Sequence, residues 1–551
     1  MRSFLLVIIC LILSFNLFAQ SEDIVKSKGI KSKLHEANVG RIIFTPGAVD
    51  ADNLSTSDFL TEYRLTNKSD LFFTAFMANS LTNYMHRLSP EISADSLART
   101  GNFQFSLLVD GKLIYKSNLL PGAPSREIRD TETILSKPLI NNLNGEGLWS
   151  ESFWGRFMRS GGADALTDGR HLLRMEIRPY IHLGQTDKTG DLMAAGDLCL
   201  EVYLKPKFDL SVIDLSKIEP YEGLEVSREK FDRNNIKELK GNIEAGVFKK
   251  INGIIVIKNN KLLIEEYFNG ETRDSLHDPR SVGKSFASSL IGIAIDAGYI
   301  ENEYKQLKDF YDLSKNANNS ALKENTSIYQ LITMSSSFDG NDEDGSSPGN
   351  EENMYETADW VKFALDLPMN SKQPKGHWHY FTAGVVLLGD VLNKSVPGGL
   401  EKYADEMLFK PLGITNYKWQ YTPQGVPNTA GGIRLKAIDF AKYGQLYKNG
   451  GVWNGKQIIS KKWIDKTFMK QKFLPGRDNE FYGYLFWNKT YSINQKKCEA
   501  WYCAGNGGNY IFVFKDQPLV IVITASAYGQ VYGHTQVHKM MEQYILPAVI
   551  D

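Results

Sequence analysis

The 551-residue sequence holds only four cysteines. Cys10 falls in an N-terminal apolar run, which leaves Cys199, Cys498 and Cys503 for the mature chain. An odd number cannot pair completely within one molecule, so a disulfide framework is not the basis of the fold. A Cys498–Cys503 bridge and buried free thiols both stay open. No C-x-x-C or His/Cys cluster has the spacing of a zinc site, so no metal is expected. A charge excess is lacking too: 63 Lys and Arg face 64 Asp and Glu, a formal net charge of -1. Nothing in that balance points to nucleic acid or an anionic membrane as partner. Beyond the first residues no apolar run is long enough for a transmembrane helix, and no internal repeat or low-complexity tract occurs.

What is present describes a folded, exported chain of more than one domain. Hydrophobic residues make up 42% and aromatics 12% of the sequence, enough to fill sizeable cores. The length predicts two or three domains. Arg2, the apolar run Phe4 to Leu13, and Phe18-Ala19-Gln20 read as a secretory signal peptide over residues 1–19. The mature protein is therefore expected in the periplasm or outside the cell.

Two textures follow. Residues 21–235 alternate apolar and polar side chains in short runs such as Leu71 to Phe76 and Phe103 to Val109. Asp110-Gly111 between two such runs is a hairpin signal, and the pattern predicts an antiparallel β-sandwich of unknown role. Trp149, Phe153 and Trp154 form an aromatic patch that either caps the sandwich core or binds a ligand. Asp214 to Gly241, charged and mixed, reads as a linker. Residues 240–551 combine helices with strands at both ends, which predicts one antiparallel sheet covered by helices, an α/β (α+β) domain.

The chemistry concentrates in that second domain. Ser281-Val282-Gly283-Lys284 opens an apolar run, Ser285 to Ile300, that reads as a buried helix. A serine and a lysine three residues on share a helical face, and a helix N-terminus offers unpaired N–H groups. These are the parts of an activated serine nucleophile: hydroxyl, proton-accepting amine and oxyanion donor. A second S-x-x-K, Ser227 to Lys230, has no apolar helix behind it. Gly283-Lys284-Ser285 also looks like the tail of a phosphate loop, but Asp278 stands where that motif needs glycine. Further on, Pro374 to Thr382 is a turn delivering Tyr380 to the start of another apolar helix. A phenol beside an amine can relay a proton. Gly505-Asn506-Gly507-Gly508 precedes the last hairpin, where glycine permits close backbone approach by a ligand.

The order Ser281-x-x-Lys284, Tyr380-x-Thr382 and Gly505-x-Gly507 is similar to the serine β-lactamase and penicillin-binding-protein superfamily. Pro411-Leu412-Gly413-Ile414, Gly431 to Asp439, Gly450 to Trp453 and Tyr482-Gly483-Tyr484 resemble its class C-like branch, which includes secreted esterases and 6-aminohexanoate-dimer hydrolases. The resemblance covers residues 245 to 545 and implies a β-lactamase-like fold and a covalent acyl-enzyme without cofactor or metal. It implies Ser281 as nucleophile, Lys284 and Tyr380 as base and acid, and the Ser281 and Asn506 amides as oxyanion donors. Gly505, Gly507, Thr382 and His379 are implied beside the substrate. Two departures stand out. Gly505-Asn506-Gly507 replaces Lys-Thr-Gly and so lacks the cation that meets a β-lactam carboxylate, and Thr382 replaces the usual asparagine. Both favour a small neutral ester or amide, or a peptide-like or oligoamide bond, over a β-lactam.

Other candidates carry less. His377-x-His379 lacks a third metal ligand, and His379 reads better as a pocket wall. Asp339 to Asp344 faintly resembles a calcium loop, but Asp344 occupies the glycine position, so a solvated lid is expected. Trp360, Trp378 and Trp487 suit a pocket or a core equally. Rival readings are an acylating sensor with negligible turnover, and a DD-peptidase or D-aminopeptidase. The sequence is silent on oligomeric state.

Overall fold

The computed structural model describes residues 22–550 apart from 122–124, 142–152, 371–373, 375 and 478. The signal-peptide expectation and Trp149 fall outside the described residues. The chain divides into two compact units, Met1–Pro206 and Lys207–Asp551. Among the described residues no helix is long and apolar enough to cross a membrane.

In the first unit, Glu62–Thr66, Gly101–Val109, Lys112–Asn118, Gly169–Leu183 and Ala194–Tyr203 make one sheet, with Thr186–Thr189 on its edge. Ile42–Thr45, Leu71–Phe76 and Ile134–Ile140 make a second. Both contribute to one core, which contains Phe44, Phe73, Phe105, Met175 and Leu198. The pairing is antiparallel except between Glu62–Thr66 and Ala194–Tyr203, which run parallel. Asp110 and Gly111 both adopt positive φ, as a two-residue hairpin with the strand twist requires. Phe153 is buried against Phe105 and Tyr115, and Trp154 lies on Phe157. These two aromatics therefore belong to the packing of the unit and not to an open patch.

In the second unit we label β1 (Glu225–Val226), β2 (Ile251–Lys258), β3 (Lys261–Tyr267), β4 (Lys472–Phe473), β5 (Phe481–Tyr482), β6 (Trp487–Ile493), β7 (Lys496–Gly505), β8 (Asn509–Phe514) and β9 (Leu519–Ala525). They form one sheet in the order β1-β3-β2-β9-β8-β7-β6-β5-β4. Only β1 and β3 run parallel. The Asn259-Asn260 turn joining β2 and β3 has both residues at positive φ, which asparagine tolerates best after glycine. Strands β2 and β9, from opposite ends of the unit, pair along their lengths. β-branched residues fill both faces of that pair, and each fully buried Ile or Val contributes about 2 kcal/mol relative to exposure.

The main helices are α1 (Arg233–Glu244), α2 (Lys284–Asp296), α3 (Thr382–Ser395), α4 (Ala437–Lys448) and α5 (Tyr532–Met540). The segment expected as a linker packs within this unit: α1 lies against the chain end, and Asp232 N donates to Ala548 O at 2.9 Å. Helix α2 is buried from Lys284 to Ala294 because it lies among α3, α4 and the sheet. Within it Ser289 Oγ meets Tyr443 OH at 2.8 Å and Tyr447 OH at 2.7 Å, whereas Ser288 Oγ is buried without a partner. Phe286 stacks on Tyr443 with ring centroids 4.0 Å apart, locking α2 to α4. That rigid helix fixes the position of the residues at its N-terminus.

Candidate active site

Ser281 stands in a short 3-10 turn, Arg280–Gly283, that leads directly into α2. The preceding Arg280 is held at φ 52°, a left-handed conformation uncommon for a residue with a side chain. The turn is gripped from several sides. A Cβ on Gly505 would lie 1.9 Å from Pro279 O and 3.1 Å from Ser281 N. A Cβ on Gly431 would lie 2.8 Å from Arg280 O, and one on Gly283 would lie 3.0 Å from the Gly431 Cα. Tyr528 OH donates to Asp278 O at 2.9 Å, and the Arg280 guanidinium rests 4.7 Å above the Tyr528 ring. The serine turn is thus seated in a socket that only glycine can line.

Lys284, the first residue of α2, is 2% exposed. Its Nζ donates to Ser281 Oγ at 3.0 Å and to Ala430 O at 2.6 Å. Among the described residues no carboxylate lies within ion-pair distance of it. Tyr380 completes the group: its hydroxyl lies near enough to Ser281 for the serine to lower its pKa, and Lys284 Nζ lies 5.2 Å from its ring centre. Burial pushes the Tyr380 phenol above its ordinary value, against the opposing pull of the Lys284 charge and of Ser281. The ring stacks on Trp487 at 5.8 Å.

Asn506 follows directly on the glycine that abuts Ser281 N. Its Oδ1 accepts from Gly529 N at 2.9 Å and its carbonyl accepts from Asn509 Nδ2 at 3.0 Å, so the loop is tied at both sides. Gly507 and Gly508 both sit near φ 90°. Gly505 meets the serine turn of the same chain, and Gly507 packs beside Tyr528. The close approach expected of a ligand at Gly505 is made by the protein's own backbone.

His379 is buried next to Tyr380. It is 5% exposed, packs on Phe381, and neither ring nitrogen has a hydrogen-bond partner in the structure. Burial pulls its pKa down to about 4, so the ring is neutral. No group of three or more metal-ligating side chains is present among the described residues. Thr382 begins α3; its N–H donates to Asp342 Oδ2 at 2.7 Å while its hydroxyl is buried without a partner.

Asp342 is the residue that sequence reasoning missed. Expected in a solvated lid, it is partly buried behind Tyr380. Its N–H donates to Tyr380 O at 2.9 Å, and its Oδ1 accepts from Glu351 N at 2.9 Å. Burial raises its pKa to about 6 despite the hydrogen bond from Thr382. Gly340 in the same loop lies so close to Phe381 that a Cβ would stand 2.3 Å from its ring. A clustered acidic run with interspersed glycine and asparagine gave no sign of this inward turn. Trp378 and Trp487 are buried in the aromatic core around Tyr380, whereas Trp360 packs on Tyr355 at the periphery.

The family model "Beta-lactamase" matches residues 240–538. The chain belongs to the beta-lactamase family. It is similar to the 6-aminohexanoate-dimer hydrolase of Paenarthrobacter ureafaciens, 23% identical over 277 residues. That match covers 46% of this chain and 64% of the relative, so the chain spans under two thirds of the relative's length. Among solved structures it resembles an octameric penicillin-binding protein homologue from Pyrococcus abyssi, with 17% identity, TM-score 0.43, and 57% and 80% of the two chains covered. It likewise resembles a D-stereospecific amidohydrolase from Streptomyces sp., with 16% identity, TM-score 0.43, and 55% and 97% covered. The first unit lies outside the matched family segment.

Proposed function

We propose that the protein is an exported serine hydrolase that cleaves small ester or amide bonds through an acyl-enzyme on Ser281. The observation that carries this reading is the buried Lys284 amine 3.0 Å from Ser281 Oγ, its other contact being a neutral carbonyl. Lys284 takes the serine proton as Oγ attacks the substrate carbonyl. Tyr380, its phenol kept protonated by burial, hands a proton to the leaving group and recovers one through Ser281 and Lys284. The amides of Ser281 and Asn506 receive the oxyanion, each such donor being worth about 3 kcal/mol of transition-state stabilisation. Water then releases the acyl group by the reverse path.

The relatives named above support amide or peptide-like substrates, and the absence of a lysine from Gly505-Asn506-Gly507 weighs against β-lactams. The N-terminal pattern supports export. Steady turnover of p-nitrophenyl esters and short amides tests the reading. Stoichiometric acylation without turnover would favour a sensor instead, and release of D-alanine from D-Ala-D-Ala peptides would point to a DD-peptidase.

A further inference from the structure

Ser281 and Lys284 are held by α2 and the 3-10 turn that enters it. Tyr380 has no such support, because residues 377–381 have no regular structure and α3 begins only at Thr382. Phe381, at the N-cap position of α3, makes no side-chain bond to the helix. A helix that starts behind an apolar residue leaves its first amides without acceptors. The amides on either side of Tyr380 turn to Met334 instead. His379 N donates to Met334 O at 3.0 Å, and Phe381 N meets the Met334 sulfur, a weak acceptor, at 3.2 Å.

The acceptor that α3 lacks comes from Asp342. Its Oδ2 accepts from Thr382 N at 2.7 Å, while its own N–H donates to Tyr380 O at 2.9 Å. One residue therefore grips the chain at the carbonyl that leaves Tyr380 and at the amide two positions on. Asp342 is itself pinned: its Oδ1 accepts from Glu351 N at 2.9 Å, and its carbonyl accepts from Asn350 Nδ2 at 3.2 Å. Gly340 in the same loop lies against the Phe381 ring, so the loop and the Tyr380 segment pack face to face. Two amides on two different segments need two acceptor oxygens, which a carboxylate has and a carboxamide does not. Among the described residues Asp342 makes no hydrogen bond with Ser281 or Lys284, so its grip reaches the serine through Tyr380.

We infer that Asp342 is a positioning residue, which by bridging Tyr380 O and Thr382 N fixes the backbone that aims the Tyr380 phenol at Ser281. The inference rests on the serine-hydrolase reading above. Fixing the backbone on both sides of Phe381 sets the direction of the Tyr380 side chain, and a misplacement of about 1 Å costs a reacting group about 10² in rate.

The test is a double-mutant cycle with Tyr380, read on phenyl acetate and p-nitrophenyl acetate, which share an acetyl group. Asp342→Ala should lower kcat/KM for phenyl acetate about 10²-fold. The loss should be smaller for p-nitrophenyl acetate, whose leaving group needs no proton. In a Tyr380→Phe background the same substitution should change either value by less than about twofold, since no phenol is left to place. Asp342→Glu, with both acceptor oxygens, should recover more of the rate than Asp342→Asn, with one. Thermal midpoints establish that each variant is folded, and Asp342→Asn carries the cycle if Asp342→Ala does not fold. Equal losses with and without the phenol, or wild-type rates in the folded variant, overturn the inference while leaving the hydrolase standing. A wild type that cleaves neither ester overturns both.

Discussion

Gly505 and Pro279 are in backbone contact so close that any side chain on the glycine would run into the Pro279 carbonyl oxygen, at 1.9 Å. The contact joins the end of β7 to the turn that carries Ser281. Because the obstacle is backbone on both sides, it cannot be relieved by a rotamer change. Gly505→Ala is expected to cost about 1–3 kcal/mol in stability, typical of overpacking. It should slow acylation of Ser281 by far more than that loss of folded protein explains. Urea titration alongside the rate of fluorophosphonate labelling separates the two effects.

Lys284 and Tyr380 have different proposed roles beside Ser281 and should fail differently. Lys284→Met keeps most of the buried volume but removes the proton acceptor, so covalent labelling of Ser281 should be nearly lost. Tyr380→Phe keeps the stack on Trp487 and should still label, with kcat on esters reduced by about 10²–10⁴. Amides, whose leaving group needs the proton more, should suffer the larger loss. Equal effects on esters and amides would contradict a leaving-group role for the phenol.

Asp342 offers a test by pH. Its folded pKa of about 6 exceeds the unfolded value near 4, so between those values the folded state holds more protons. Its contribution to stability is present at lower pH and is lost as pH rises through the folded pKa. Over that interval the wild type should lose up to about 3 kcal/mol relative to Asp342→Asn. Parallel stability curves for the two proteins would contradict the assignment.

The three described cysteines are free. Cys498 and Cys503 lie on the single strand β7, five positions apart, so they are about 17 Å apart and face opposite sides of the sheet. No bridge can close over that distance. Burial pushes both thiols above their ordinary values. Iodoacetamide at pH 8 should leave both unmodified in the native protein and alkylate both after denaturation without reductant. Protection that persists in denaturant would indicate a disulfide.

Much of the second unit was legible because its signals are local. The Asn259-Asn260 turn, the apolar run after Ser281 and the strands around Lys515 to Pro518 each announce themselves by residue type and spacing. The Ser281, Lys284 and Tyr380 grouping was legible through motif order, since a helix N-terminus and a turn deliver each side chain. Contacts made across long sequence separations were not. Gly505 looked like a ligand-facing glycine, yet it serves the Pro279 turn more than 200 residues away. Asp342 looked solvated because its run is acidic, and only the bonds to Tyr380 and Thr382 turn it inward. The burial of His379, with both ring nitrogens unpartnered, was likewise not legible from its place in the His377-x-His379 pair. The boundary near Pro206 was also hidden, because the charged segment after it makes its contacts with the far C-terminus.

The central claim is that Ser281 is the nucleophile. Intact-protein mass spectrometry after treatment with a fluorophosphonate tests it most directly. The account predicts one adduct on the wild type, formed by attack of Oγ on phosphorus with loss of fluoride, and none on Ser281→Ala. A folded wild type that takes no adduct, or a Ser281→Ala variant that still takes one, would contradict it.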